Sequence, residues 1–131
     1  MAEFLFVCGT LRPKLITPLI EPLLGKFQHH SAAVVRGALY HLGEYPGAVL
    51  NESGGLIHGD LLELHDAPQI WPALDAYEGF DPGNETGSLF IRTRCQAQLP
   101  DGQFIECSMY VYNQPLTDAA QVIESGDYTD A

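Results

Sequence analysis

The sequence predicts an α+β domain in which short, bent strands close into a small barrel. Three observations carry that expectation. The stretches 33–42 and 56–64 both contain G-x-L-x-x-L, at 37–42 and 59–64, with a glycine set inside an otherwise good strand. Interior glycines weaken a strand, so their usual reason is a bulge or the tight coiling of a small barrel. Turn signals at Tyr45-Pro46-Gly47 and Gly54-Gly55 cut the region into a meander, and closure is the natural way for such a sheet to avoid exposed edges. Finally, one clear helix and one strong hairpin follow in the second half.

The elements justify themselves in order. Residues 4–8, Phe-Leu-Phe-Val-Cys, form an apolar run that suits a strand buried on both faces. Gly9 ends it, and the amides of Gly9, Thr10 and Leu11 would be able to converge on an acceptor as an anion-binding nest. Arg12 and Lys14 stand beside them, so this turn is expected to floor a site for a small acidic molecule. Residues 16–27 show helical spacing interrupted by Pro18 and Pro22, which predicts a short, partly irregular helix ending at Gly25. His29 and His30 have no carboxylate or third histidine at ligand spacing nearby, so they read as an exposed loop pair. A short strand is expected at 48–50 between the two glycine-bearing ones.

Asp66 is a candidate N-cap with Gln69 three residues on, Pro68 sits in the first turn, and Gly79 is placed to terminate the helix. Ile70, Trp71, Leu74 and Tyr77 form its apolar stripe. Glu78, at i+4 from Leu74, falls on the same face, whereas Asp75 lies about 100° from Leu74 and is expected to be solvated. A carboxylate on a buried stripe in a last turn is disfavoured as a charge by burial and by the helix dipole, which is how a glutamate becomes a base near neutral pH. The alternative is a helix-end glutamate turned out to water. Residues 81–88 form a polar loop that could rim a site. Strands at 89–99 and 103–113 follow, joined by Pro100-Asp101-Gly102, with Tyr110 and Tyr112 alternating on one face. From Pro115 a helical turn is expected over Ala119, Ala120, Val122 and Ile123.

Length and composition bound the function. The chain has 131 residues, enough for one domain, taken as 1–131, and 46% of them are hydrophobic. Six basic against seventeen acidic residues give a net charge of −11, which argues against nucleic acid and anionic membrane as partners. Arg92 and Arg94 share one strand face, either as a second cationic site or as ordinary solvated charges. Three cysteines without C-x-x-C spacing argue against a disulfide framework or zinc ribbon, and with no secretory signal or membrane span the expected home is the cytoplasm.

Several of these pieces, in order, resemble the gamma-glutamylcyclotransferase-like family, and within it the gamma-glutamylamine cyclotransferases. That family opens with a strand into Y-G-S-L or Y-G-T-L and a basic residue, matched by Cys8-Gly9-Thr10-Leu11-Arg12. A G-x-L-Y-x-L strand and Y-P-G turn are matched at 37–42 and 45–47, and a G-x-L-x-x-L strand at 59–64. A helix ending L-D-x-Y-E-G-[YF] is matched by Leu74-Asp75-Ala76-Tyr77-Glu78-Gly79-Phe80, and a terminal S-G-D-[WY] by Ser125-Gly126-Asp127-Tyr128. The resemblance implies a mixed, twisted small barrel flanked by a few helices, with a cavity at one end. It implies that the first turn binds a γ-glutamyl moiety through backbone amides and that Glu78 is the catalytic acid/base, releasing 5-oxoproline and a free amine. The family tyrosine is Cys8 here, and Tyr110 or Tyr112 are candidates to supply what its phenol would. Cys8, Gly9, Thr10, Leu11, Arg12, Tyr110 and Tyr112 are thus the expected substrate-binding residues, with no metal and no cofactor. The expected ligand is a small γ-glutamyl compound or another carboxylate; the alternative function is a non-catalytic binding module for a small acidic metabolite. A cysteine hydrolase built on Cys8 and a histidine such as His58 is disfavoured, since a thiol in an apolar strand has no reason to ionise.

Overall fold

The computed structural model describes residues 3–8, 27–42, 46–51, 54–65, 67–116, 121–123 and 126, except for the side chains of residues 27, 29, 46, 67–69, 73, 77 and 78. The elements are β1 (Glu3–Val7), β2 (Phe27–His41), β3 (Pro46–Leu50), β4 (Leu56–Leu64), α1 (Ala67–Glu78), β5 (Phe90–Gln98), β6 (Phe104–Tyr112) and β7 (Gln121–Val122).

Five strands close the barrel in the order β2, β4, β1, β6, β5, with β5 returning to β2 through Val34 and Gln98. The neighbours are antiparallel except β1 and β6, which run parallel with Leu5 opposite Ser108, so the barrel is mixed as expected. The second half of β2 runs on to pair with β3 and, at Tyr40 and His41, with β7.

Strand alternation sorts the apolar residues into two cores. Phe6, Val35, Leu39, Ile57, Leu61, Cys107 and Met109 fill the barrel, and Phe4 and Cys8 pack partly against them. Leu5, Val7, Leu62, Leu64, Phe90 and Tyr110 point outward beneath α1, whose Ile70 and Leu74 complete the second cluster. β1 is therefore buried on both faces, which is why its sequence is a continuous apolar run. A Leu74→Ala truncation at this zero-exposure position would cost about 2–5 kcal/mol.

Gly59 is required by close approach: a Cβ there would stand 2.2 Å from the Val7 carbonyl oxygen and 2.7 Å from Phe6 Cζ. The break in register falls elsewhere, between His29 and Ser31 of β2. His29 and His30 thus belong to a bulged strand and not to a loop; His30 is exposed and its ring meets Phe4 edge-on at 5.2 Å. Val122 likewise lies in β7 and not in a helical turn, because its backbone pairs with Tyr40. The helix expected before Gly25, and the capping role of Asp66, lie outside the described residues.

α1 ends as its sequence requires. Gly79 adopts φ +74°, and the amides of Gly79 and Phe80 donate to the carbonyls of Ala76 (3.3 Å) and Asp75 (2.8 Å). This pair of bonds is the Schellman pattern, and Phe80 joins Leu74 in the apolar cluster that usually accompanies it. The amide of Leu89 then donates to the Gly79 carbonyl at 3.1 Å, tying the helix end to the entry of β5. The β5–β6 hairpin turns at Gly102, φ +91°, whose amide donates to Leu99.

Candidate functional site

Three chain segments meet at one end of the barrel. Because β1 and β6 are parallel from Leu5 and Ser108, the exit of β1 at Val7 and Cys8 runs beside Tyr110 and Tyr112. Arg92 and Phe90 of β5 lie directly opposite Tyr110 and Tyr112. The C-terminal turn of α1 packs over this corner, with Leu74, Val7 and Tyr110 in one apolar cluster. Glu78 is the last residue of that helix. Gly9, Thr10, Leu11 and Arg12, which follow β1, lie outside the described residues.

The sheet separates the remaining candidates by face. Cys8 is half-buried and packs against the barrel-interior cluster. Tyr110 and Tyr112 are on the opposite face, with α1. Tyr112 packs edge-on against Phe90 at 5.6 Å between ring centroids. Tyr110 is 8% exposed, and its hydroxyl donates to Asp75 Oδ1 at 2.5 Å.

Asp75 overturns its expected solvation: it is buried at 6% exposure. Arg92 Nη1 also donates to Oδ1 at 3.2 Å, and the guanidinium lies over the Trp71 ring at 4.4 Å. The reason is geometric. Asp75 is about 100° from Leu74 but one turn on from Trp71, and so only about 40° from it around the helix. The covered arc of α1 extends past Trp71 because Arg92 and Tyr110 reach up from the sheet to meet it. This Trp71–Asp75–Arg92–Tyr110 cluster was missed in the sequence; the i, i+4 spacing of Trp71 and Asp75 was its available signal.

Arg92 and Arg94 do share the outer face, with different partners. Arg94 pairs with Glu106 through Nε at 3.1 Å and Nη2 at 2.8 Å, and donates to Ser108 at 3.1 Å. On the inner face Cys95 and Cys107 are cross-strand partners with sulfurs 3.6 Å apart. That contact, and then the Arg94 charge, lower the Cys95 pKa against burial, while the same contact and burial raise that of Cys107. Among the described residues no group of three or more His, Cys, Asp or Glu could hold a metal ion, and no helix is long and apolar enough to cross a membrane. A separate groove of about 500 Å³ opens along the β2–β4–β5 seam, lined by Ala32, His58, Gln98 and Pro100 among others.

A closed five-strand mixed barrel with a helix laid across one face defines a class of small α+β domains. Comparison with known proteins gives that class its family. The model of the gamma-glutamyl cyclotransferase, AIG2-like family matches residues 5–130, and the chain belongs to that family. It is 34% identical over 129 residues to the gamma-glutamylcyclotransferase family protein YtfP of Escherichia coli K12, covering 96% of both chains. The solution structure of E. coli YtfP superposes with a TM-score of 0.61 at 31% identity, over 99% of this chain and 97% of that one. An AIG2-like protein from mouse superposes at TM-score 0.70 and 19% identity, over 89% and 81%. YkqA from Bacillus subtilis does so at 0.67 and 23%, over 99% of this chain but 40% of its own length. The last two likenesses show the fold alone.

Proposed function

We propose that the protein is a cyclotransferase that converts a small γ-glutamyl amine or dipeptide to 5-oxoproline and a free amine. The whole chain, 1–131, acts as one domain in this reading. The observation that carries it is family membership over 5–130, and it is supported by a helix that ends in Glu78 and bonds, through Asp75, to Tyr110 of β6, the strand parallel to β1.

The chemistry needs few parts. The α-amine of the γ-glutamyl group attacks its own γ-carbonyl carbon, forming the C–N bond of a five-membered ring; the bond from that carbon to the leaving nitrogen then breaks. One proton leaves the α-ammonium to solvent to free the attacking amine; as the ring closes, a second must leave that nitrogen and one must reach the departing amine. Glu78 performs both transfers, as a base and then as an acid. Amides of Gly9, Thr10 and Leu11 hold the substrate carboxylate or the developing oxyanion, with Arg12 beside them. Tyr112 borders the site on the α1 side and Cys8 borders the turn from the barrel-interior side, while Tyr110 acts through Asp75. Holding amine and carbonyl in contact supplies much of the rate, since a well-oriented intramolecular attack reaches effective molarities of about 10⁵ M or more. No step requires a cofactor.

The test is a panel of γ-glutamyl amines and dipeptides assayed for 5-oxoproline. Turnover of at least one member is expected, lost in Glu78→Gln while the circular dichroism spectrum is kept. A folded Glu78→Gln with full turnover would remove the mechanism. Saturable binding of a carboxylate without turnover by the wild-type chain would instead make the protein a binding module.

A further inference from the structure

The last turn of α1 is bonded more heavily than its termination requires. Backbone amides of Gly79 and Phe80 already serve the carbonyls of Ala76 and Asp75. The Asp75 side chain nevertheless lies buried near the negative end of the helix dipole, a place that disfavours a carboxylate. It is kept there by the Tyr110 hydroxyl and the Arg92 guanidinium, both on Oδ1. Replacing a buried ionic cluster by apolar residues is often neutral or stabilising, so stability alone does not account for this one.

Its geometry does account for it. Trp71 and Asp75 are one turn apart on α1, and Arg92 and Tyr110 are directly opposite each other on β5 and β6. Arg92 stacks on Trp71 and bonds Asp75, so two points on the helix are held to two points on the sheet. Two such points fix both the rotation of the helix end and its slide along the strands. Glu78 follows Asp75 by three residues, about 4.5 Å further along the axis.

We propose that Asp75, held by Tyr110 and Arg92, is a positioning residue that sets the last turn of α1 and thereby the place of Glu78 relative to the exit of β1. The inference rests on the reading of Glu78 as the proton carrier. A proton-transferring carboxylate must come within hydrogen-bond reach of the nitrogen it serves, and a displacement of about 1 Å can cost about 10²-fold in rate. The cluster touches no reacting atom; it acts through the helix.

The experiment compares wild type, Glu78→Gln, Tyr110→Phe, Asp75→Asn and, as a packing control in the first half of the helix, Ile70→Val. Amide hydrogen exchange is followed along α1, with kcat and KM measured on a γ-glutamyl substrate from the panel. Tyr110→Phe and Asp75→Asn are expected to speed exchange at residues 76–80 selectively. They should lower kcat about 10- to 100-fold with KM changed less than about threefold. Ile70→Val should lower the melting temperature while keeping kcat. Should Asp75→Asn not fold, Tyr110→Phe decides alone. A folded Tyr110→Phe with wild-type kcat, or a kcat loss as large in Ile70→Val, overturns the positioning role while an inactive Glu78→Gln leaves the site intact. Full turnover in Glu78→Gln, or none in wild type, overturns the site itself and the positioning role with it.

Discussion

The Tyr110 hydroxyl bonds the Asp75 carboxylate at 2.5 Å across 35 positions of sequence, inside the apolar cluster that joins α1 to the barrel. A hydrogen bond to a buried charged group contributes about 1.5–3 kcal/mol, and Asp75 keeps Arg92 when Tyr110 is lost. Tyr110→Phe is therefore expected to destabilise by about 1.5–3 kcal/mol in urea unfolding, with an unchanged slope. Asp75→Asn should cost a similar amount. Because Tyr110→Phe removes the donor of that bond and Asp75→Asn the charge that strengthens it, the double variant should fall short of the sum by about 1 kcal/mol or more. Additive losses would mean that the two groups do not share a bond in solution.

Gly59→Ala is expected to be severe. The added methyl would meet the Val7 carbonyl oxygen at 2.2 Å, a backbone atom held in the β1–β4 ladder, and the Phe6 ring behind it. Overpacking ordinarily costs about 1–3 kcal/mol, and a rigid backbone neighbour puts this position at the upper end or beyond. Soluble yield and thermal melting measure it; a loss under about 1 kcal/mol would show that the barrel wall yields there.

Gly79→Ala makes the same chemical change for a different reason and a smaller effect. An added Cβ meets Leu89 Cβ at 3.4 Å, ordinary contact, so the cost comes from the backbone at φ +74°. A left-handed alanine costs about 1–2 kcal/mol. Asparagine tolerates this region better, so Gly79→Asn should recover part of the loss. Equal losses in the two variants would point to space and not to φ.

Much of this architecture is legible in the chain because periodicity and turn chemistry are local. The apolar run of β1, the span of β4, the Gly79 stop and the Pro100-Asp101-Gly102 hairpin are each written in a few adjacent residues. What escaped is long-range. The bulge at His29 and Ser31 answers the register of β4, which no window around two histidines contains. The angle between Asp75 and Leu74 does not decide the burial of Asp75, which depends on Arg92 and Tyr110 from strands 17 and 35 residues away. Gly59 announced a constraint, but only the approach of Val7 and Phe6 says which one.

The β5–β6 ladder sets the behaviour of the two facing thiols. Leu99 donates to Gln103 and Asn113 to Leu89, so odd-numbered residues of β5, Cys95 included, occupy hydrogen-bonded pairs. Side chains at such pairs stand further apart than at non-hydrogen-bonded ones, which makes a Cys95–Cys107 disulfide strained. Both residues should therefore remain thiols under mild oxidant, with no 2-Da loss of mass (the two hydrogens a disulfide sheds). Their reactivities should diverge. Contact with Cys107 and the Arg94 charge hold the Cys95 pKa below its ordinary 9.0, so its thiolate, and with it iodoacetamide alkylation, should rise at lower pH than in a free thiol. Contact with Cys95 and burial push Cys107 the other way, so at pH 9 it is still protonated and, at zero exposure, shielded. Peptide mapping after brief alkylation at pH 8 should find the label on Cys95 well ahead of Cys107. Arg94→Gln, by removing the second of the two causes, should shift the Cys95 rate profile to higher pH. Equal labelling of the two sulfurs in the folded chain would show that the β5–β6 contact does not hold.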